Sequence, residues 1–487
     1  CSLALALAGG ATELAAPDAA HAPETRKHQG IPSVAVSKVN GRMWCTYYCD
    51  PLGGENHLNY CVLATSADDG RSWKEVLVAD PDGAGLKRSF DPEVWIAPDG
   101  KLRWTWTERT LDPAKTDLKN TWNGYSNIKS DTLHVVELDA ENEPTAPYPP
   151  VRALMRGVMM CKPTVVGSGE WVFPLCEWGE APSSKFYVTR NGRDFECRGG
   201  VTLPEDWRQF DEEQMVELSD GRWWVLIRTK SGLCESFSSD QGRTWSAPVE
   251  SKLGHPNSRL FLTKLPSGKL LLVKHGKIGE QPEGGKWKVR KNLRAFVSSD
   301  DGKTWDGGLL LDARPGVAYP DGDVGKDGTI TVVYDHNRTK EKEILMAIAF
   351  HSGRVGMQQE EKILFLADMI DHSCQNGYDP ARIWKQTDLD SAILAASTDM
   401  IQFSVKNDLP IDKRTQDSFD YIIEHLQQNS HSEDPSYKTL QAETDEIVDK
   451  TMEIYRSHRL KINSIKNLLI ILIVKILENI LYDKNSE

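Results

Sequence analysis

Short apolar runs separated by turn signals fill the chain up to about residue 350. Strand-length runs at 102–106, 223–227, 270–273 and 330–334 each follow an Asp-Gly or Ser-Gly turn signal. Strands that alternate with turns of this type are typical of antiparallel hairpins. The pattern therefore predicts an all-β domain for residues 28–350.

The remaining residues follow a helical period instead. Apolar residues recur three and four positions apart in sets such as Ile363, Leu364 and Ala367, and again from Ile465 to Ile476. Fourteen of the 15 Trp precede residue 350, and one Gly of 37 follows residue 356. This spacing predicts an all-α C-terminal segment, divided into residues 351–430 and a helical tail at 431–487.

An eight-residue repeat identifies the β fold. The pattern Ser-x-Asp-x-Gly-x-x-Trp begins at Ser66, Ser238 and Ser298, and a shortened copy runs from Thr189 to Phe195. The later copies are 49 and 60 residues apart (238 − 189 and 298 − 238), which is about one four-stranded blade each. Residues 28–350 then fit a six-bladed β-propeller.

The repeat resembles the Asp-box of the sialidase (neuraminidase) superfamily, and the resemblance covers residues 28–350. Its Ser and Asp side chains satisfy backbone donors in a tight turn, where Gly allows a positive φ. Because Asp-boxes mark the fold and lie away from the sugar site, Asp68, Asp240 and Asp300 are expected to be structural.

Composition narrows the range of partners. The net charge of −13 argues against nucleic acid, because a phosphate backbone requires a basic surface. The nine Cys lack the spacing of a zinc site, and we expect them to be reduced, buried thiols. Most of the Trp residues are also expected to lie in the core. We expect a carbohydrate partner, no metal site and no cofactor, and no apolar run is long enough for a membrane span.

Residues 1–27 are expected to lie outside the propeller. The apolar stretch 3–8 and the small-x-small sequence at 20–22 fit the end of a truncated export signal. An Ala-rich disordered leader explains them equally well. A signal would favour an exported protein, periplasmic or extracellular, over a cytoplasmic one.

The resemblance to sialidases implies a retaining mechanism with a Tyr nucleophile and a Glu that activates it. Tyr319, in Ala318-Tyr-Pro-Asp321, matches the nucleophile segment. Glu212 matches the activating Glu, with Asp211 and Glu213 as close rivals. A neutral phenol suits this role, because the anomeric carbon of sialic acid carries a carboxylate that repels an anionic nucleophile.

The same resemblance implies an acid/base carboxylate and a cluster of arginines that binds the substrate carboxylate. Arg228 and Arg290 match two of the three arginines. Glu55 falls where the acid/base belongs, with Asp50 and Asp91 as alternatives. His255 could line the pocket or form a blade turn.

Position 30 departs from the family pattern. The first arginine of the cluster belongs to an Arg-Ile-Pro motif, but this chain has Gly30-Ile31-Pro32. A full carboxylate clamp then requires Arg26 or Arg259 to reach in. Otherwise Gln29 suits a neutral sugar hydroxyl, and Asp91 is a further candidate for binding sugar.

The C-terminal segment resembles the C-terminal half of HD-domain hydrolases that cleave symmetrical dinucleoside tetraphosphates. His351 and Asp368 match two metal ligands of that family. The half that supplies the paired His-Asp ligands is absent, so we expect a non-catalytic remnant. The alternative is residual metal-dependent nucleotide hydrolysis.

The sequence therefore predicts an exo-glycosidase of sialidase type. A glycosidase or lyase acting on a different sugar and a non-catalytic carbohydrate-binding propeller are the alternatives. The oligomeric state is left open.

Overall fold

The computed structural model describes residues 12–349, apart from 56, 82–85, 117–127, 179–180, 282–288 and 327. The predictions for residues 1–11 and for the segments 351–430 and 431–487, including His351 and Asp368, lie outside the described residues. Within them the chain forms 24 strands and two short 3-10 helices, at Ala19–His21 and Pro23–Thr25.

The strands form six antiparallel sheets, each built from strands that follow one another along the chain. The first two blades contain β2 His28–Val36, β3 Met43–Asp50, β4 Tyr60–Ser66 and β5 Lys74–Ala79, then β6 Lys87–Ile96, β7 Lys101–Leu111, β8 Ile128–Asp139 and β9 Arg152–Arg156. Blades III and IV contain β10 Thr164–Val165, β11 Trp171–Cys176, β12 Ser184–Thr189 and β13 Glu196–Val201, then β14 Glu213–Glu217, β15 Trp223–Thr229, β16 Gly232–Ser238 and β17 Val249–Glu250. Blades V and VI contain β18 Phe261–Lys264, β19 Leu270–His275, β20 Leu293–Ser298 and β21 Asp306–Asp312, then β22 Val317–Val324, β23 Ile330–His336 and β24 Glu343–Ala349.

The first strand of each blade lies innermost. Strand β2 contacts β6 on one side and β22 on the other, and β18 lies between β14 and β22. The contact between β22 and β2 closes the ring. The predicted six-bladed β-propeller is thus confirmed for the part of the chain that the structure describes.

The Asp-box turns join the third and fourth strands of their blades, on the outer side of the ring. In the turn after β16, the Gly242 N–H donates to Ser238 Oγ at 2.8 Å, and the Thr244 N–H donates to Asp240 Oδ1 at 2.8 Å. Hydrogen bonds from the Thr244 side chain and backbone lower the pKa of Asp240 to about 2. These bonds stabilise the turn and leave Asp240 far from the inner strands, as expected for a structural motif.

Tryptophans fill the spaces between blades. Trp44 and Trp104 are completely buried between blades I and II, and Trp223 lies between blades III and IV. The indole N–H of Trp104 has a hydrogen-bond partner inside the core, because it donates to Thr46 Oγ1 at 2.8 Å. Most of the described Trp residues therefore stabilise the fold rather than bind sugar.

Residues 12–27 differ from the separate leader that the sequence suggested. The short strand β1, Leu14–Ala15, pairs with β5 and adds a fifth strand to the first sheet. Arg26 is buried and forms an ion pair with Glu75 at 2.5 Å. Two-residue strands have no periodicity to detect, which explains why the sequence pattern missed this edge.

The described cysteines are free thiols, six of them buried and Cys197 exposed, which confirms the expected thiol state. Burial raises the pKa of the buried thiols, as at Cys45 and Cys61. Over the same residues, no helix has the length and apolar character needed to cross a membrane.

Candidate functional site

Four residues in inner strands, or just before one, adopt left-handed backbone conformations at equivalent places in their blades. Ile31, Asp91 and Tyr319 have φ of 56°, 45° and 52°, and Asp211, just before β14, has 50°. The ladders shift register at the same points in β2, β6 and β22. Non-glycine residues with positive φ store strain that concentrates at functional sites, and a bulge re-aims side chains. These four residues mark one end of the propeller axis.

Tyr319, Glu212 and Arg228 meet at this end. The Arg228 guanidinium donates to Glu212 Oε1 at 2.6 Å and to the Tyr319 hydroxyl oxygen at 3.1 Å. The Tyr319 hydroxyl lies 3.5 Å from the same Glu212 oxygen. All three residues are buried. Tyr319 is 91 positions from Arg228 and 107 positions from Glu212 along the chain, so the structure brings together residues that are distant in sequence.

Of the three candidate carboxylates, Glu212 is the one that faces Tyr319. Asp211 accepts a hydrogen bond from Arg208 Nε at 2.9 Å. Glu213 lies inside the blade, and burial raises its pKa well above the ordinary value. Because burial disfavours its charged form, Glu213 is less suited to act as a base for the phenol.

Two further guanidiniums lie over the Tyr319 ring. The Cζ atoms of Arg290 and Arg338 are 5.1 and 4.9 Å from the ring centre. Asn257 ties the arginines together, because its carbonyl oxygen accepts from Arg290 at 2.9 Å and its side-chain oxygen accepts from Arg228. Arg228, Arg290 and Arg338 thus place three guanidiniums on the pocket side of one phenol, and Arg259 adds a fourth from below.

Arg338 was not among the residues predicted from the sequence, and it occupies the space that Gly30 leaves. A Cβ atom at position 30 would lie 2.3 Å from Arg338 Cδ and 2.4 Å from Cγ. Arg338 follows β23 and forms an ion pair with Glu55 at 2.9 Å. An arginine of the last blade therefore fills the space beside position 30 of the first blade. The available signal was an Asp-x-x-Arg sequence, Asp335 to Arg338, that begins at the end of the apolar strand β23.

Arg26 and Arg259, the two candidates to replace the missing first arginine, have partners elsewhere. Arg26 binds Glu75, as described above. Arg259 is buried beneath Tyr319, where it donates to Glu93 at 2.8 Å and to the carbonyl oxygen of Pro32 at 3.0 Å. Its Cζ lies 5.4 Å from the Tyr319 ring centre. This contact set suits a residue that positions Tyr319 from below.

The carboxylates considered for the acid/base role differ in their surroundings. Burial acts to raise the pKa of Glu55, but the charges of Arg338 and Arg88 outweigh it and hold the pKa below the ordinary value. Burial and the charges of Glu55 and Glu212 raise the pKa of Asp91 to about 7. Asp50 accepts from the N–H groups of residues 52 and 53, at 2.6 and 2.7 Å, so it stabilises a turn.

Two polar residues that could line a pocket have internal partners. The Gln29 side-chain oxygen accepts from Arg26 at 2.8 Å, and its NH₂ donates to the Lys342 carbonyl at 2.9 Å. His255 is buried, with Nδ1 2.7 Å from the carbonyl oxygen of Pro256. Burial lowers the pKa of His255 well below its ordinary value, so the ring is neutral. His255 thus belongs to a blade turn.

Metal ligation has no support in the described part of the chain. No group of three or more His, Cys, Asp or Glu side chains there is arranged to hold an ion. The described side chains of the site supply a phenol, the carboxyls of Glu212, Glu55 and Asp91, and a set of guanidiniums.

Comparison with known proteins gives one family match. Residues 142–332 match the BNR repeat-like domain. Among curated proteins, a symmetrical bis(5′-nucleosyl)-tetraphosphatase from Halalkalibacterium halodurans is 35% identical over 86 residues, 17% of this chain and 46% of that protein. The chain thus spans about half the length of this relative.

Solved structures resemble the propeller. The Hadza microbial sialidase Hz136 has a TM-score of 0.50 at 15% identity, over 67% of this chain and 66% of that chain. A protein of unknown function from Dyadobacter fermentans has a TM-score of 0.48 at 19% identity, over 70% of this chain and 98% of that one. Residues 142–332 therefore match a BNR repeat-like domain, and they lie within a six-bladed β-propeller whose fold is similar to that of sialidase Hz136.

Proposed function

We propose that the propeller is a retaining exo-glycosidase of sialidase type, which removes a terminal sugar whose anomeric carbon carries a carboxylate. The observation that carries the proposal is the contact of the Tyr319 hydroxyl with Arg228 and Glu212, beneath the guanidiniums of Arg290 and Arg338. A phenol among arginines suits attack on a carbon whose substituent is anionic.

In the first step, the phenolic oxygen of Tyr319 forms a bond to the anomeric carbon while its proton passes to Glu212. Arg228 touches both groups, so its charge stabilises the phenolate character that develops as the proton moves. Glu212 keeps one oxygen without a hydrogen-bond partner among the described residues, and that oxygen can receive the proton. The glycosidic bond breaks in the same step.

The leaving oxygen needs a proton, and Asp91 suits this role better than Glu55. A carboxyl with a pKa of about 7 still carries a proton near neutral pH, whereas Glu55 is ionised and paired with Arg338. In the second step the Asp91 carboxylate takes a proton from water and the water oxygen bonds to the anomeric carbon. The bond between that carbon and the Tyr319 oxygen breaks, and Tyr319 recovers its proton from Glu212.

The guanidiniums provide the anion specificity. Arg228 already pairs with Glu212 and Arg338 with Glu55. Arg290 donates to a carbonyl oxygen and pairs with no carboxylate in the described part of the chain. A substrate carboxylate would therefore pair first with Arg290, and it would compete with Glu55 for Arg338.

The test is hydrolysis of a fluorogenic sialoside by the wild type, Tyr319→Phe and Tyr334→Phe. Tyr334 provides the matched control, because it lies in the same blade and its hydroxyl is 3.4 Å from Asp312. We expect Tyr319→Phe to lose about 10²-fold or more in kcat, the range for removal of a group that takes part in the reaction, and Tyr334→Phe to remain active.

Equal turnover by the wild type and Tyr319→Phe would refute the nucleophile assignment. Hydrolysis of an uncharged aryl glycoside or a polysaccharide, without hydrolysis of the sialoside, would show that the substrate is a neutral sugar and not a sialic acid. Sugar binding without turnover of any substrate would identify a carbohydrate-binding propeller instead. For residues 351–487, the remnant of a nucleotide hydrolase stays a prediction, tested by metal analysis of the full chain.

A further inference from the structure

Three inner strands resume their regular pairing at buried polar residues. After the shift in register, the first paired residue is Ser33 in β2, Glu93 in β6 and Asp321 in β22. All three are buried. A buried polar group is costly unless it has a hydrogen-bond partner, so each of these residues needs one inside the ring. Their partners show how the segment of β22 that carries Tyr319 is held.

The Ser33 hydroxyl joins three strands at the point where the ring closes. It accepts a hydrogen bond from the Val94 N–H of β6 at 3.1 Å and donates to Asp321 Oδ2 of β22 at 2.8 Å. The Val34 N–H donates to the same Asp321 oxygen at 2.9 Å. The carboxylate of the last blade is therefore held by a side chain and a backbone N–H of the first blade.

Lys162 supplies the cation for this carboxylate. It precedes β10 in blade III, and its ammonium forms an ion pair with Asp321 Oδ2 at 2.9 Å. The same nitrogen donates to the carbonyl oxygen of Val34 at 2.7 Å and to that of Gly322. An ammonium has three N–H donors, and these three contacts can use all of them. One side chain of blade III thus binds β2 and β22 together.

Asp321 is separated from Tyr319 by Pro320 alone. Tyr319 and Pro320 lie within the register shift, so they have no ladder partners in β23. The Tyr319 carbonyl oxygen has a long contact with Arg259, at 3.5 Å. A non-glycine residue with φ of 52° keeps that conformation only if its surroundings hold it there. On the C-terminal side of Tyr319, the fixed point is Asp321 with its contacts to Lys162 and the first blade.

Lys162 reaches the propeller axis from the end opposite to Tyr319. A cavity of about 490 Å³ opens there, and its walls include Lys162, residues 37–39 directly after β2, and Asp323 near the end of β22. Its walls include none of the described residues that contact the Tyr319 hydroxyl or ring. A change at Lys162 therefore acts on Tyr319 from outside the candidate site.

We propose that Lys162 and Asp321 are positioning residues for Tyr319: their ion pair fixes the strained segment of β22, so that the phenol stays beside Glu212 and Arg228. The inference rests on the proposed function, because it gives these two residues a part in holding the nucleophile. A displacement of about 1 Å at a reacting group can cost about 10²-fold in rate, so the loss of this ion pair should appear in kcat.

Binding of the substrate should depend much less on Lys162. The substrate carboxylate would still meet Arg290 and Arg338, and these guanidiniums are held by the Asn257 carbonyl oxygen and by Glu55. A positioning role therefore predicts a fall in kcat with little change in KM.

The test measures kcat and KM for a fluorogenic sialoside in Lys162→Met, Ser33→Ala and Lys264→Met. We expect Lys162→Met to lower kcat by about 10- to 100-fold and to keep KM within about twofold. Ser33→Ala removes less of the network and should lower kcat by about 3- to 10-fold, also at constant KM. Lys264 is the matched control, because it ends the inner strand β18 and its ammonium joins blades V and IV through the Glu217 carbonyl oxygen at 3.1 Å. Lys264→Met should leave both constants unchanged.

Hydrogen exchange of backbone amides reports on the segment itself. Amides of residues 317–324 should exchange faster in Lys162→Met than in the wild type or Lys264→Met, while those of β12, in the blade of Lys162, should not change. An unchanged kcat in Lys162→Met would overturn the proposal. So would faster exchange in β12 to the same degree as in β22, because Lys162 would then stabilise the propeller as a whole.

Two further outcomes have a defined reading. If Lys162→Met does not fold, Ser33→Ala decides by the same kinetic and exchange measurements. If the wild type cleaves no sialoside, the proposed function fails, and hydrogen exchange alone decides whether Lys162 holds residues 317–324. Faster exchange confined to that segment would support the positioning role, and unchanged exchange would refute it.

Discussion

Replacing Gly30 by alanine should impair the site by displacing Arg338. The backbone of Gly30 lies outside the positive-φ region, so space alone decides what fits at this position. The new Cβ would approach Arg338 Cδ and Cγ to 2.3 and 2.4 Å, and Asp335 Oδ2 to 2.8 Å. Contacts this short force the middle of the Arg338 side chain to move.

The size of the effect follows from the contacts that Arg338 would lose. Its guanidinium would leave Glu55, now at 2.9 Å, and its place 4.9 Å from the Tyr319 ring centre. A hydrogen bond to a charged group contributes about 1.5–3 kcal/mol. Losing one such contact with a substrate carboxylate would lower kcat/KM for a sialoside by about 10- to 150-fold.

A double-mutant cycle isolates this coupling. We expect Gly30→Ala and Arg338→Ala to lose similar amounts of kcat/KM, and the double variant to be no worse than Arg338→Ala alone. Alanine at 338 removes the two carbon atoms that the new methyl group meets most closely and leaves only its 2.8 Å approach to Asp335 Oδ2, so the two effects should be far from additive. The coupling should then be about 1.5–3 kcal/mol. Gly30→Arg combined with Arg338→Ala should recover activity, because it returns a guanidinium to the same space from the opposite strand.

Arg314→Ala, in the connection between blades V and VI, is the control for loss of an arginine. Arg314 is exposed and pairs with Asp312, so its removal should leave kcat/KM near the wild-type value. Thermal unfolding of each variant separates loss of fold from loss of the site. Activity of Gly30→Ala within twofold of the wild type, or additive losses in the double variant, would refute the reasoning.

Two other predictions concern buried charges. Burial raises the pKa of Asp91 to about 7, so the carboxyl is protonated below that pH and kcat/KM should fall as pH rises through about 7. The residual activity of Asp91→Asn should not show this fall in its pH profile. If the fall persists in the variant, Asp91 is not the acid. Arg259→Met should lower the free energy of unfolding by about 3–5 kcal/mol, because it leaves the Glu93 charge buried without its partner at 2.8 Å. Denaturant unfolding of Arg259→Met and of the double variant with Glu93→Gln checks this, since the second change should restore part of the loss.

The fold was predictable because its signals are local. Each Asp-box turn satisfies its own backbone donors within a few residues, as Ser298 and Asp300 do in blade V, so the motif reads the same in the sequence and in the structure. The spacing of the turns then gave the blade size. The edge strand at Leu14–Ala15 was missed, because two paired residues leave no pattern.

The site was only partly predictable, because its members differ in what determines their position. Tyr319, Glu212, Arg228 and Arg290 each follow from their place in a blade, and the structure brings these four together. The burial of Arg259 beneath Tyr319 depends on contacts with Glu93 and with carbonyl oxygens of other blades. An arginine whose side chain lies near the propeller axis can have the same sequence neighbours whether it lies in the pocket or below it.

Arg338 shows most clearly where sequence reasoning ends. Positions 30 and 338 are 308 residues apart, and they meet only because the last blade packs against the first. At position 30 the sequence shows a missing side chain, and at position 338 it shows an arginine after a strand. Neither observation predicts a contact, because residues 30 and 338 meet only when the ring of blades is closed. The absence of an arginine from a motif is therefore no evidence against an anion site until the space that it would have filled has been inspected.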